Sequence, residues 1–155
     1  MKNINFESYV SLMEGLHVSF VTTTFAGIYI GIGPVRSHSE FVRKVTPFMV
    51  WLRASTTLVR DRRKIFETAF PSFEDLTVIE GAILNRTVGR AGIDFTNNSL
   101  RLLVGDILLS VFPGTKSSEL SWMLFDDRLT PPSVIVAFAD SLEFKAADRD
   151  ISYPQ

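Results

Sequence analysis

The chain has 155 residues, of which 46 % are hydrophobic and 21 % charged, so it is long enough to bury a sizeable core as one domain without staples. It contains no cysteine, which excludes disulfides, thiolate catalysis and cysteine-ligated zinc or iron–sulfur centres. The net charge is only −1, but residues 1–70 hold nine Lys/Arg against five Asp/Glu, while residues 119–155 hold three against seven. A chain basic at one end and acidic at the other can be steered electrostatically onto a partner.

From the N-terminus, Phe6, Tyr9, Val10, Met13 and Leu16 recur at three- and four-residue steps, predicting a helix over 6–16 that stops at Gly15. The first residues lack the basic-then-apolar layout of a signal peptide. Residues 18–32 are rich in β-branched and aromatic residues and read as a strand, with glycines marking a bend. The uncharged run 15–35 carries too many polar and breaker residues to make a membrane span. Its glycines fit neither the dinucleotide fingerprint nor the phosphate-binding P-loop.

Ser39 offers an N-cap for a short helix before Thr46-Pro47. From Phe48 to Phe70 the apolar positions Phe48, Trp51, Leu52, Leu58, Val59, Ile65, Phe66 and Phe70 predict a long amphipathic helix ending before Pro71, with Ser55-Thr56-Thr57 as its least helical part. Arg60, Arg62, Arg63 and Lys64 fall on this helix, with Arg53 two turns earlier. They read as a solvated helix end complementing the macrodipole, with phosphate contact as the other reading.

Residues 77–112 read as a β-meander. Ile93-Asp94-Phe95 and Leu100-Arg101-Leu102 alternate apolar and charged, Thr96-Asn97-Asn98-Ser99 between them is hairpin chemistry, and Gly105-Asp106 is the next turn before the apolar run 107–112. Strands follow at 120–125, 133–138 and 142–144, separated by Asp126-Asp127 and Pro131-Pro132. The arrangement predicts an α+β fold, with N-terminal helices and one early strand packed on a mainly antiparallel C-terminal β-meander, over residues 1–155 as a single domain.

No catalytic or cofactor motif emerges. His17 and His38 lack metal-ligand spacing, and no G-x-S-x-G elbow is present. The expectation is therefore a binding protein rather than an enzyme, with no cofactor and no metal. Its acidic last third supplies the candidate contacts, Glu119, Asp126, Asp127, Asp140 and Glu143, suited to a basic partner surface.

Glu80-Gly81, Gly92-Ile93-Asp94-Phe95, Asn97-Asn98, Leu100-Arg101-Leu102, Ser121-Trp122, Leu124 and the stretch from Val134 to Leu142 together resemble the β-meander of small bacterial immunity proteins. These include the antitoxins of contact-dependent growth inhibition and related polymorphic toxin systems. The resemblance covers about residues 77–147. It implies a cytoplasmic protein that binds and blocks one cognate toxin domain, often a nuclease, with no direct contact to nucleic acid or membrane. Homo-oligomerisation stays open. The alternatives are a self-associating structural or regulatory module, using the helix that bears Trp51, and a small cofactor-free hydrolase or ligand-binding protein using His17 or His38.

Overall fold

Alternation, not helical spacing, governs the stretch that begins at Phe48. Phe48, Val50, Leu52, Ala54, Thr56 and Leu58 are all buried, each two residues from the next, while Trp51, Arg53, Ser55 and Thr57 between them are partly exposed. A period of two is the signature of extended chain. The expected helix over 48–70 is instead three strands: β5 (Phe48–Leu52), β6 (Thr56–Arg60) and β7 (Arg63–Thr68). The computed structural model describes residues 5–23, 27–38, 43–114, 119–128 and 132–146, and 54 % of these are in strands. The α+β expectation of N-terminal helices on a meander is thus corrected to a mostly β architecture of two antiparallel sheets with two small helices. The helix expected to open at Ser39 falls largely outside the described residues.

The first sheet has the order β1-β2-β5-β11-β12-β13, from β1 (Val18–Thr23), β2 (Ile28–Ile32), β11 (Leu120–Asp126), β12 (Ser133–Phe138) and β13 (Leu142–Ala146) around β5. The run read as one strand over 18–32 is therefore a hairpin, with β1 paired to β2. The small ribbon of β3 (Arg36–His38) and β4 (Arg43–Val45) continues the β2–β5 hairpin past Gly33-Pro34 and Thr46-Pro47.

The second sheet has the order β7-β6-β10-β9-β8, with β8 (Val88–Asp94), β9 (Ser99–Val104) and β10 (Ile107–Val111). The β8–β9–β10 meander lies where alternation and turn chemistry predicted it. Asn98 adopts φ 59° in the first turn and Gly105 φ 59° in the second.

The meander does not begin at residue 77. After Pro71, Ser72 and Asp75 form a reciprocal capping box, and a 3-10 turn leads into α2 (Leu76–Ile83). Ile79 and Ile83, four residues apart, are fully buried. At the N-terminus α1 (Phe6–Val10) runs into a 3-10 turn over Ser11–Met13, shorter than the helix expected over 6–16. Gly15 then turns the chain at φ +87°, and residues 15–18 zip onto residues 85–88 through backbone hydrogen bonds.

One core lies between the sheets. Ile28, Ile30, Val50, Leu52, Trp122, Leu124 and Ile135 of the first sheet meet Leu58, Leu100, Leu102, Ile107 and Leu109 of the second, with Val10, Met13, Ile79 and Ile83 closing the ends. Trp122 is fully buried and its Nε1 donates to the Asn98 carbonyl at 2.9 Å, tying the sheets together. The opposite face of the first sheet is also apolar and buried, through Tyr29, Met49, Met123, Phe125, Val134 and Val136. That explains the near-continuous apolar runs of β2, β5, β11 and β12. Among the described residues no helix is long and apolar enough to cross a membrane.

Candidate functional site

Two segments cross between the sheets at one corner. Residues 53–55 carry the chain from β5 to β6, and the chain leaving β10 at Phe112 returns to the first sheet at β11. The crossings are bonded to their surroundings: the Arg53 N–H donates to the Ser121 carbonyl at 3.0 Å, and the Phe112 N–H to that of Ser55 at 2.8 Å. Where they part, a cavity of about 410 Å³ opens, lined by Arg53, Ala54, Ser55, Ala69, Phe70, Gly114, Glu119 and Leu120.

Arg53 is held by rings. Its guanidinium lies 4.7 Å from the centroid of Trp51 and 5.5 Å from that of Phe70. Trp51 in turn stacks on Tyr29, its cross-strand neighbour, at 5.1 Å and 6°. In a strand, residues 51 and 53 share a face, so W-x-R spacing places ring beside guanidinium. Gly27, at φ +98°, permits this approach, because a Cβ there would collide with the Leu52 carbonyl and stand 2.8 Å from Trp51 Nε1. Among the described residues Arg53 Nε is buried and has no acceptor.

Glu119 occupies the other wall. Its carboxylate rests against Gly114, where a Cβ would collide with Oε2. Among the described residues no ion pair joins Glu119 to Arg53, so two opposite charges line one cavity without meeting.

The five predicted contact residues separate into two groups. Glu119 precedes Leu120, which pairs with Phe138, and Asp140 lies in the turn two residues past Phe138. Glu143 stands opposite Val136 on the edge strand β13. These three are exposed and share one corner of the first sheet. Asp126 and Asp127 lie at the far end of β11 and are buried, at 0 % and 9 % exposure, so they cannot form the rim of a contact surface.

Asp126 has structural partners instead. Arg128 donates from Nε to Oδ1 and from Nη2 to Oδ2, each at 3.0 Å, and its backbone N–H also reaches Oδ1 at 3.0 Å. The Tyr9 hydroxyl donates to Oδ2. Burial pushes the Asp126 carboxyl up, but hydrogen bonds from the Arg128 side chain, Tyr9 and the Arg128 backbone outweigh it and hold the group below the usual carboxylate range. Tyr9 is pushed above its ordinary value, first by burial and then by its bond to Asp126. The Arg128 guanidinium also lies 4.7 Å over the Phe48 ring.

A second concavity, also of about 410 Å³, lies on the outer face of the second sheet among Arg90, Gly92, Asp94, Arg101, Leu103 and Leu108. Asp94 and Arg101 pair there at 3.2 Å. Two hydrogen bonds from Thr96, with help from Arg101, hold the Asp94 carboxyl below its ordinary value.

The basic run is not a helix end. Arg60, Arg62, Arg63 and Lys64 form the β6–β7 hairpin tip, where Arg60 and Arg86 share Asp106 at 3.1 and 2.6 Å. His17 makes an isolated bridge to Thr87 and lines neither concavity, and the His38 side chain lies outside the described residues. Among the described residues no three His, Cys, Asp or Glu gather as a metal site would require. The chain matches no family model, no curated protein and no solved structure.

Proposed function

We propose that this chain is an immunity-type binding protein that acts in the cytoplasm by occluding one cognate toxin domain. The observation that carries this reading is the gathering of Glu119, Asp140 and Glu143, exposed, at one corner of a rigid antiparallel sheet. Fixed carboxylates on strands present a pre-organised negative surface to a basic cleft, such as that of a nuclease, and speed encounter with it. Asp126 and Asp127 act in this reading only by fixing the fold.

The self-associating alternative loses its basis in the helix that was to carry Trp51. Two of the four edges of the two main sheets also speak against it: β7 carries Arg63, Lys64 and Glu67, and β13 carries Glu143 and Lys145, charges that discourage edge-to-edge pairing there. The test is co-expression with the C-terminal domain of the protein encoded immediately upstream. A complex that stays together through purification and restores growth is expected. Growth arrest without rescue, or two proteins that elute apart, removes the immunity reading.

A further inference from the structure

We propose that the cavity at Arg53 is a binding site for a small zwitterion, specifically a free α-amino acid with an apolar side chain. The site lies at the crossing of the two sheets and shares Glu119 with the carboxylate corner, while Arg53 and the cavity walls belong to it alone.

The first argument is charge. Arg53 and Glu119 line the same cavity of about 410 Å³, and among the described residues neither is ion-paired. Opposite charges left apart in a partly desolvated cleft are satisfied together by a ligand that carries both signs. The α-carboxylate faces the guanidinium and the α-ammonium faces Glu119.

The second argument is pre-organisation. Trp51 and Phe70 hold the guanidinium plane, and Gly114 leaves the room that the Glu119 carboxylate occupies. Holding the guanidinium in place before binding removes part of the ordering cost of association. Among the described residues Arg53 Nε is buried without an acceptor, and a buried donor left unpaired gains from an anion placed beside it. The third argument is size and lining. Small-molecule sites commonly enclose about 300–1,000 Å³ with apolar walls and few polar groups. Here Ala54, Ala69, Phe70 and Leu120 supply the walls.

The experiment titrates the isolated chain with the free apolar and aromatic amino acids, one at a time. Binding is followed by the indole N–H resonance of Trp51, which is one of only two tryptophans and touches Arg53. Saturable shifts are expected for the free amino acid. Its N-acetyl derivative, which lacks the ammonium, and its amide, which lacks the carboxylate, should each bind at least about tenfold more weakly. Arg53→Lys, Glu119→Gln and Gly114→Ala should each weaken binding, the last without changing any charge, while thermal unfolding reports that each variant is folded.

No saturable shift up to about 10 mM, tenfold above a millimolar site, overturns the proposal. So does an N-acetyl derivative that binds as well as its parent, which would make the cavity a simple anion site. If no amino acid binds but Arg53→Lys weakens capture of a partner protein, the cavity receives a partner side chain and the zwitterion assignment falls.

Discussion

Asp126 is the residue where position along the chain and position in space diverge most. Beside Asp127, after an apolar strand, it reads as a surface turn, yet it is fully buried and bonded to a tyrosine 117 positions earlier. No local pattern announces a partner that distant, so an acidic contact read from the sequence became a structural anchor. The energetic consequence has a definite sign. A carboxyl whose folded pKa is depressed contributes stability that is fully present above its unfolded value, near about 4, and is lost as pH falls through the folded value. Tyr9 contributes in the opposite sense: its raised folded pKa makes stability present below about 10 and lost as pH rises past that. Asp126→Asn is expected to cost about 1–3 kcal/mol at pH 7, because Tyr9 and Arg128 lose a charged acceptor. Urea midpoints measured from pH 7 to pH 3 check this. The gap between wild type and variant should narrow as pH drops below about 4, and a constant gap would mean that Asp126 acts through packing alone.

At the scale of elements, the legible parts of the sequence are those whose turns carry ordinary turn residues. Asn97-Asn98 and Gly105-Asp106 announced the β8–β9–β10 meander, and the structure puts both turns there. The β6–β7 hairpin was missed because its turn is Asp61-Arg62, with both residues left-handed at φ 50° and 64°. Two such residues make the mirror-image turn that favours Asp-Gly or Asn-Gly, so arginine in the second place hides the signal. The three-, four- and seven-residue apolar steps over 48–70 then looked helical, although from Val50 to Leu58 buried and partly exposed residues alternate without a break. Arg53 was assigned to the basic cluster of that helix for the same reason, since only in an extended chain does it fall beside Trp51. The Ser72–Asp75 capping box, by contrast, was legible as an S-x-x-D signal before an apolar run and marked a helix that was read as strand. The strained turn yields a prediction. A left-handed conformation costs a non-glycine residue about 1–2 kcal/mol, and glycine returns part of that as unfolded-chain entropy. Arg62→Gly should therefore stabilise the fold by about 0.5–1 kcal/mol, read as a rise in the urea midpoint with unchanged slope. A fall would mean that the Arg62 side chain makes a contact worth more than the strain it imposes.

At the scale of the whole molecule, charge is arranged along the second sheet's strands. β6 starts at the crossing corner and ends at the basic hairpin tip, a run of five residues or about 17 Å. Arg62 and Arg63 are exposed at that tip, while Glu119, Asp140 and Glu143 gather near the crossing, where Trp122 of β11 pairs with Leu52 at the end of β5. In the proposed binding mode, a basic partner drawn to the carboxylate corner would approach with the arginine tip pointing away. Neutralising the corner with Glu119→Gln, Asp140→Asn and Glu143→Gln should raise the partner's Kd about tenfold and flatten its dependence on salt, mostly through a slower association rate. Arg62→Gln with Arg63→Gln should change Kd by no more than about twofold, because exposed charges beyond a Debye length of about 8–10 Å are largely screened. The two sets are to be compared by association kinetics across ionic strength. If the tip variants slow association and the corner variants do not, the partner is acidic and docks at the hairpin end of the second sheet. That result would transfer the binding surface from the crossing corner to Arg60, Arg62, Arg63 and Lys64.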